Sequence, residues 1–460
     1  MTPAETTTAR RRKLPPHVRM LLALVIGATI GLIANAVWAD SAALAWVVSN
    51  VADPIGKIFI NFLLMLVAPL LFAALVMGIA ELDLAQLGRL GARMLGYTVI
   101  VSAIAVTIGL VMVNTFKPGA GMPDEMRERA LKSDVDKRLF YFLVEQPETP
   151  PDVKKAILAV PDLPRPPDQS AVDLILSMVP DNVVGAAGSN AKLLGLIVFS
   201  LVFGIALAFT RTPASMRLRE VIQGLYDVLM RLIEGILYFA PLGIGALLFS
   251  MTARLGFDIL QQLAAYVGVV VAALAIHMFI VYSLSVYLLG RMNPIRFFRG
   301  ARLAMVTAFS TASSNATLPT AIKVAEEELK LPRQASRFVL TAGSAMNQNG
   351  TALFEGVTVL FLAQLFGVHL DLGQQLQVML ICILGGIGTA GVPAGSLPVI
   401  AMILAMFSIP PEGLGLILGV DRFLDMCRTS LNVTGDLAAA VYVSRAVAEP
   451  DAPPTQPSRP

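Results

Sequence analysis

The chain has 460 residues, 56% hydrophobic and only 15% charged, with a mean hydropathy of +0.71. Soluble globular chains carry about 25% charged residues and need polar surface to cover their cores, so the composition excludes a soluble enzyme, a nucleic-acid binder and a disordered protein. It points to an all-α polytopic membrane protein, and the net charge of +3 is too small to call for an acidic partner.

The segments follow in chain order. Residues 1–15 end in Arg10-Arg11-Arg12-Lys13 and are read as a cytoplasmic tail, not a cleaved signal peptide. The apolar run Met20–Trp38 approaches the ~20 residues that cross a bilayer. Ile55–Ala80 is read as the second span and Met94–Phe116 as the third. Lys117–Gln169 is polar and rich in proline, an extramembrane loop on the outer side. An amphipathic approach from Val172 leads to the fourth span, Leu193–Phe209; Leu232–Phe249 and Leu260–Leu289 follow as the fifth and sixth. Arg291, Arg296, Arg299 and Arg302 then mark a cytoplasmic loop. The tail from Glu449 is proline-rich and reads as disordered and cytoplasmic. Cys382 and Cys427 form no disulfide framework, and His17, His277 and His369 are too scattered for a metal cluster.

The last third resists simple spanning. Ala301–Thr320 is apolar but broken by Ser310-Thr311, Ser313-Ser314-Asn315 and Pro319. Leu380–Phe407 is broken by Gly385-Gly386, Gly388-Thr389-Ala390-Gly391, Val392-Pro393 and Gly395-Ser396. Each suits two half-helices meeting at a polar tip, since irregular backbone at membrane depth survives only inside protein or along a cavity. The alternative is a pair of packing helices rich in glycine and serine.

Three constellations carry chemistry. Asp421, Asp425, Arg428, Asn432 and Asp436 are spaced by four, three, four and four in an otherwise apolar segment. At about 100° per residue they share one helical face, within roughly 80°. Ionisable groups at membrane depth are costly and mark function. Arg428 can fork onto a carboxylate, Asp425 can take an ammonium, and Asp436 with Asn432 suits a hard cation. The competing reading is an ion-pair network that only holds the bundle together. The second constellation, Gly343 to Ala352, sets Asn347-Gln348-Asn349-Gly350-Thr351 inside an apolar segment, where unwinding frees carbonyl oxygens for a cation. The third is Glu355, with no basic residue within two helical turns. At that depth it either carries a proton or stays neutral in a fixed hydrogen bond.

With these residues in view, the chain resembles the dicarboxylate/amino-acid:cation symporter family from Met20 to about Val443. The matching motifs are Ser313-Ser314-Asn315-Ala316-Thr317-Leu318-Pro319, Asn347-Gln348-Asn349-Gly350-Thr351, Gly388–Gly395 and Asp425–Asp436. The resemblance implies eight transmembrane helices plus two re-entrant helical hairpins, an elevator-type transporter, a homotrimer and an inner-membrane location. It implies a mostly scaffold region at 16–255, with the third helix (90–116) assigned to the transport domain and an extracellular loop at 117–170. A transport domain at 256–448 would hold hairpins at about 295–328 and 373–408, with a tail at 449–460.

The same resemblance implies site roles. Arg428, helped by Thr351, binds a side-chain carboxylate, and Asp425 binds the amino group. Asn432, Ser313, Ser314 and Thr429 lie about the α-carboxylate, and Val392 to Ser396 form the gate tip. One sodium site uses Asp436 with carbonyls of Gly343, Asn347 and Asn432. A second uses carbonyls of Ala345, Gly386, Ile387 and Thr389. No cofactor is expected; the coupling ions are H+ and/or Na+.

The departures bear on the ions. Gln348 and Asn349 stand where the family pattern has methionine and aspartate, and Val101 replaces a hydroxyl in the third helix, although Ser102 remains. Glu355 falls where proton-coupled relatives carry a protonatable glutamate, and Ala312 where the archaeal sodium-coupled pattern has arginine. The expectation is an acidic amino-acid symporter leaning to protons. A C4-dicarboxylate carrier and a strictly sodium-coupled aspartate transporter are the alternatives within the fold. A channel is disfavoured by the specific buried charges, and a membrane enzyme by the lack of a nucleophile–base or metal set.

Overall fold

The computed structural model describes residues 16–39, 41–80, 84–120, 179–188, 193–388, 396–407 and 409–445. The expected features at 1–15, 121–178, the second tip at 389–395 and the C-terminal tail lie outside them. Among the described residues the regular structure is helical, without strands. Six stretches are long and apolar enough to cross a membrane.

Helix α1 (Pro16–Trp38) packs along α8 (Pro213–Leu255). Small residues allow this. A Cβ on Gly27 would lie 2.3 Å from the Gly245 carbonyl oxygen, and one on Gly31 would lie 2.0 Å from Thr252 Oγ1. One turn further, Asn35 Nδ2 donates to the Ala253 carbonyl at 2.9 Å. This is the close backbone approach that replaces hydrophobic drive between helices in lipid.

The second apolar run is not the single helix expected from Ile55 to Ala80. Helix α2 (Ala42–Val47) passes through a π-helical turn (Val48–Ala52) into α3 (Asp53–Met65), and Ala42–Phe62 is the stretch long enough to span. The chain then breaks at Leu66 and resumes as α4 (Val67–Ala80). Pro69 explains the break: it has no N–H, and its ring crowds the carbonyl four residues back, at Met65. Asp53 sits within this stretch and is neutralised by Arg254, while Ser250 Oγ donates to its other oxygen at 2.5 Å.

The third span is α5 (Leu84–Phe116). After the short α6 (Val183–Ala187), α7 (Leu193–Phe209) packs on α4. The fifth expected span lies inside the 43-residue α8, which starts at a Thr212–Ser215 capping box. The sixth is α9 (Asp258–Ile276), a π-helical turn (His277–Val281) and α10 (Tyr282–Leu288).

The interrupted segments form two helix pairs. Helix α11 (Pro294–Thr311) ends at Ala312, whose φ of 48° turns the chain into α12 (Ser314–Lys323). A π-helical turn, Val324–Glu328, follows. Helices α15 (Leu372–Gly388) and α16 (Ser396–Met406) also pack on each other. Between the pairs, α13 (Arg333–Met346) and α14 (Asn349–Phe366) are separated by Asn347 and Gln348, which are not helical. Helix α14 is buried at every residue except Gln364 and contacts α5, α9, α15, α16 and α17 (Leu414–Ser444). It is the axis on which the polar groups assemble.

Replacing Gly27 by valine drives a side chain into the α8 backbone, and overpacking of this kind costs about 1–3 kcal/mol. The expected result is a lower unfolding temperature of the detergent-purified Gly27→Val protein; an unchanged transition would mean that α1 and α8 are not packed this tightly.

Candidate functional site

The polar groups gather where the broken α13–α14 segment meets the unbroken α17. Asn347 has φ −95° and ψ 63°, and Gln348 has φ −96° and ψ 52°. This backbone sends three consecutive side chains to three different partners.

Asn347 Nδ2 donates to Asp436 Oδ1 at 2.9 Å, while Asn347 Oδ1 is buried with no hydrogen-bond partner among the described residues. Gly343 allows this approach, since a Cβ there would lie 2.6 Å from Asp436 Oδ1. Gly435 allows another: its Cβ would lie 2.3 Å from the Tyr282 hydroxyl. A carboxylate and an unengaged amide oxygen are donors of the kind a sodium ion takes.

Gln348 faces Asn432. Its Oε1 accepts from Asn432 Nδ2 at 2.5 Å, and its Nε2 donates to the Ser344 carbonyl at 2.9 Å. Asn432 Nδ2 also donates to Thr351 Oγ1 at 3.1 Å, and Asn432 Oδ1 accepts from Gly350 N at 2.7 Å. Gly350 is required here, because a Cβ would meet the Arg428 carbonyl oxygen at 2.8 Å.

Asn349 turns to the third helix. Its Oδ1 accepts from Ser102 Oγ at 2.5 Å, and its Nδ2 donates to the Tyr282 hydroxyl at 3.0 Å. This set is buried, neutral and hydrogen-bonded at both ends of the amide.

One turn before Asn432, Arg428 is buried and divided between two carboxylates. Nη1 donates to Asp421 Oδ1 at 2.8 Å and Nε to Asp425 Oδ1 at 3.1 Å. Arg422 approaches the other Asp425 oxygen at 3.5 Å. The Arg428 guanidinium carbon lies 4.3 Å from the centre of the Phe354 ring, a cation–π contact. Glu355, the next residue, is fully buried, and neither of its carboxyl oxygens has a hydrogen-bond partner among the described residues.

The remaining expected residues fall around this centre. Ser313 caps α12, its hydroxyl accepting from Ala316 N at 3.2 Å. Ser314 and Thr429 are buried. Ser396 opens α16 with a buried hydroxyl that has no partner among the described residues. Gly386 packs under Gln348, a Cβ there lying 3.5 Å from the Gln348 carbonyl oxygen. Ala345 and Ile387 lie within α13 and α15. Thr389 and Val392 lie outside the described residues.

Three contributors were not singled out beforehand as site members. Asp421 was already on the polar face of α17, so its place on Arg428 had a signal in the spacing. Phe354 and Tyr282 had none, since each is an aromatic residue in an apolar helix until another helix brings it a partner.

The chain belongs to the sodium:dicarboxylate symporter family, whose model matches residues 17–446. It is similar to the proton/glutamate-aspartate symporter of Escherichia coli, 31% identical over 93% of this chain and 92% of that one. It is also similar to the proton/sodium-glutamate symport protein of Bacillus caldotenax, 30% identical over 92% and 93%. A third relative is human excitatory amino acid transporter 2, 33% identical over 86% of this chain and 73% of that one.

Proposed function

We propose that the protein is a secondary active symporter of acidic amino acids, aspartate or glutamate, coupled to cations. The observation that carries this reading is the buried Arg428 held between Asp421 and Asp425, one turn from the Asn432–Thr351 pair. A zwitterion with an extra acid group needs a cation for its side chain, an anion for its ammonium and amide donors for its α-carboxylate. The names of the relatives support the same substrate class. In the absence of substrate the site's own charges pair with one another, which limits their desolvation penalty. Substrate entry then exchanges internal partners for external ones: its carboxylate takes guanidinium N–H groups and its ammonium takes Asp425.

We further propose an elevator-type homotrimer in the inner membrane with both termini cytoplasmic. Its scaffold lies mostly in 16–255 and its transport domain in 256–448. Ser313, Ser314, Val392, Ser396 and Thr429 would complete the substrate chamber.

For the coupling ions we favour protons, with sodium at one site at most. Asn349 is neutral and already bonded to Ser102 and Tyr282, which leaves no formal charge to hold a cation there. Asp436 with the free Asn347 oxygen keeps a plausible sodium site. Glu355 has no partner for a negative charge among the described residues, and an unpaired carboxylate deep in apolar surroundings is costly. Protonation removes that cost, so a proton on Glu355 accompanies the substrate without adding buried charge. The carbonyls of Ala345, Gly386, Ile387 and Thr389, a second sodium site by family resemblance, carry no coupling ion in this reading, since Gln348 replaces the family methionine there.

Uptake of labelled aspartate into proteoliposomes, with sodium and proton gradients imposed separately, tests the reading directly. Arg428→Ala is expected to lower aspartate affinity by roughly a hundredfold or more, because it leaves buried carboxylates unpaired; unchanged affinity removes Arg428 from the site.

The family description also admits dicarboxylates, and Asp425 separates the two substrate classes. Asp425→Asn is expected to lose aspartate affinity and gain, relatively, for succinate, measured by competition. If both proteins rank the ligands alike, Asp425 does not read the amino group.

An inward proton gradient is expected to drive uptake, so that external acidification raises the rate, and Glu355→Gln is expected to abolish this pH dependence while sparing substrate exchange. Cooperative uptake on sodium alone, unaffected by Glu355→Gln, would falsify proton coupling and return a third sodium to the Asn349–Ser102 oxygens.

A further inference from the structure

We infer that the outer face of α11 is a binding site for the headgroups of anionic phospholipids. The inference rests on membrane embedding alone, not on the substrate or the coupling ion.

The inner face of α11 is given by Phe297, Ala301, Ala304 and Ala308, all fully buried. At about 100° per residue, the opposite arc carries Arg296, Arg299, Arg302, Leu303 and Val306, and every one of them is exposed. The arc changes character along its length. Its first part carries the three arginines, beside the exposed Ile295. Its continuation toward Ala312 is apolar, with Leu303 at 52% and Val306 at 63% exposure. Arg296 to Arg302 covers ~9 Å of helix, comparable with one headgroup layer of ~5–8 Å. Guanidinium groups at that level with apolar side chains beyond them match a phosphate above an acyl chain, and arginine suits phosphate by its planar fork.

The arginines have no ion-pair partners among the described residues. No Asp or Glu occurs between Ile259 and Ala325. Two elements packed against α11 bring acids near: α17, whose Asp421 and Asp425 pair with Arg428, and the turn that follows α12. Glu326 is engaged by Arg337 at 2.6 Å and Arg333 at 3.4 Å, and Glu327 by Lys323 at 3.9 Å. Glu328 lies beside Gly300, with its Cβ 3.6 Å from where a Cβ would stand, yet forms no ion pair with the row. Arg445 at the same end is directed elsewhere, donating to the Leu289 carbonyl at 2.8 Å. The positive-inside bias accounts for basic residues at this end of the chain. The buried inner face puts them on the outer arc, and neither effect accounts for the exposed Leu303 and Val306 that continue that arc.

The test uses the full chain in detergent, with native mass spectrometry of bound phosphatidylglycerol and phosphatidylcholine. The unaltered protein is expected to retain phosphatidylglycerol preferentially, less so as salt rises. The triple variant R296Q/R299Q/R302Q is expected to lose that preference by about tenfold or more, at about fivefold per basic residue. The lysine counterpart R296K/R299K/R302K is expected to keep most of it, which separates lost charge from lost folding. R217Q/R219Q, on the exposed start of α8, serves as a control for general surface charge and is expected to change little. The inference is overturned if the unaltered protein shows no preference, if the control variant loses as much as the triple variant, or if the lysine variant loses as much as the glutamine one.

Discussion

Everything around the candidate site depends on one constraint: a guanidinium buried inside the protein must have its charge answered from within it. Arg428 is answered twice by its own helix, by Asp421 two turns earlier and Asp425 one turn earlier, and once by the face of Phe354. Because two of these partners lie on the same helix, α17 carries its charges as a preassembled unit. Helix α17 is continuous for 31 residues, whereas the α13–α14 segment beside it is interrupted at Asn347 and Gln348. A continuous helix holds these groups at the fixed spacing of its turns, which suits the proposed exchange of internal for external partners.

The interrupted segments supply what the ridge lacks. On a regular helix, Asn347, Gln348 and Asn349 would point about 100° apart around one axis. With Asn347 and Gln348 out of helical geometry, they reach Asp436, Asn432 and the Ser102–Tyr282 pair. Glycines at 343, 350 and 435 clear the space for these contacts, each lying where a Cβ would meet a polar atom at 2.3 to 2.8 Å. The loss of two helical residues is offset by buried polar groups that bond to one another. Among the described residues, Asn347 Oδ1, the Ser396 hydroxyl and both Glu355 oxygens are buried without partners, as are polar atoms of Arg19, Thr98, Gln262, His277 and Ser444 away from the site.

The two positions of the unwound turn that depart from the family pattern, Gln348 and Asn349, are both neutral and both hydrogen-bonded within the protein. An aspartate at 349 would place a formal charge beside Ser102. Asparagine instead uses its oxygen for Ser102 and its nitrogen for Tyr282, an amide satisfied inside the protein. Gln348 likewise ties up Asn432 with an oxygen that a methionine would not offer. Each change exchanges a potential ion contact for a protein–protein hydrogen bond, and the direction is the same at both positions.

The sequence by itself determined the class of protein, the breaks in the two helix pairs and the charged stripe of α17. These rest on local physics: apolar length, glycine, serine and proline in apolar runs, and a spacing that repeats with the helical turn. The same local physics misjudged the run from Ile55 to Ala80, where Pro69 ends one helix and begins another although the hydropathy continues. Only the tertiary structure decided which polar groups meet. The spacing put Asp421, Asp425, Arg428, Asn432 and Asp436 on one face but could not divide them into an ion triad, an amide cluster and a carboxylate–amide pair. That division depends on α14 packing against α17 and on the φ and ψ of two unwound residues. Phe354 under Arg428 and Tyr282 against Asn349 were invisible for the same reason: their partners lie 74 and 67 residues away in the chain, and side-chain chemistry carries no record of which distant helix will pack beside it.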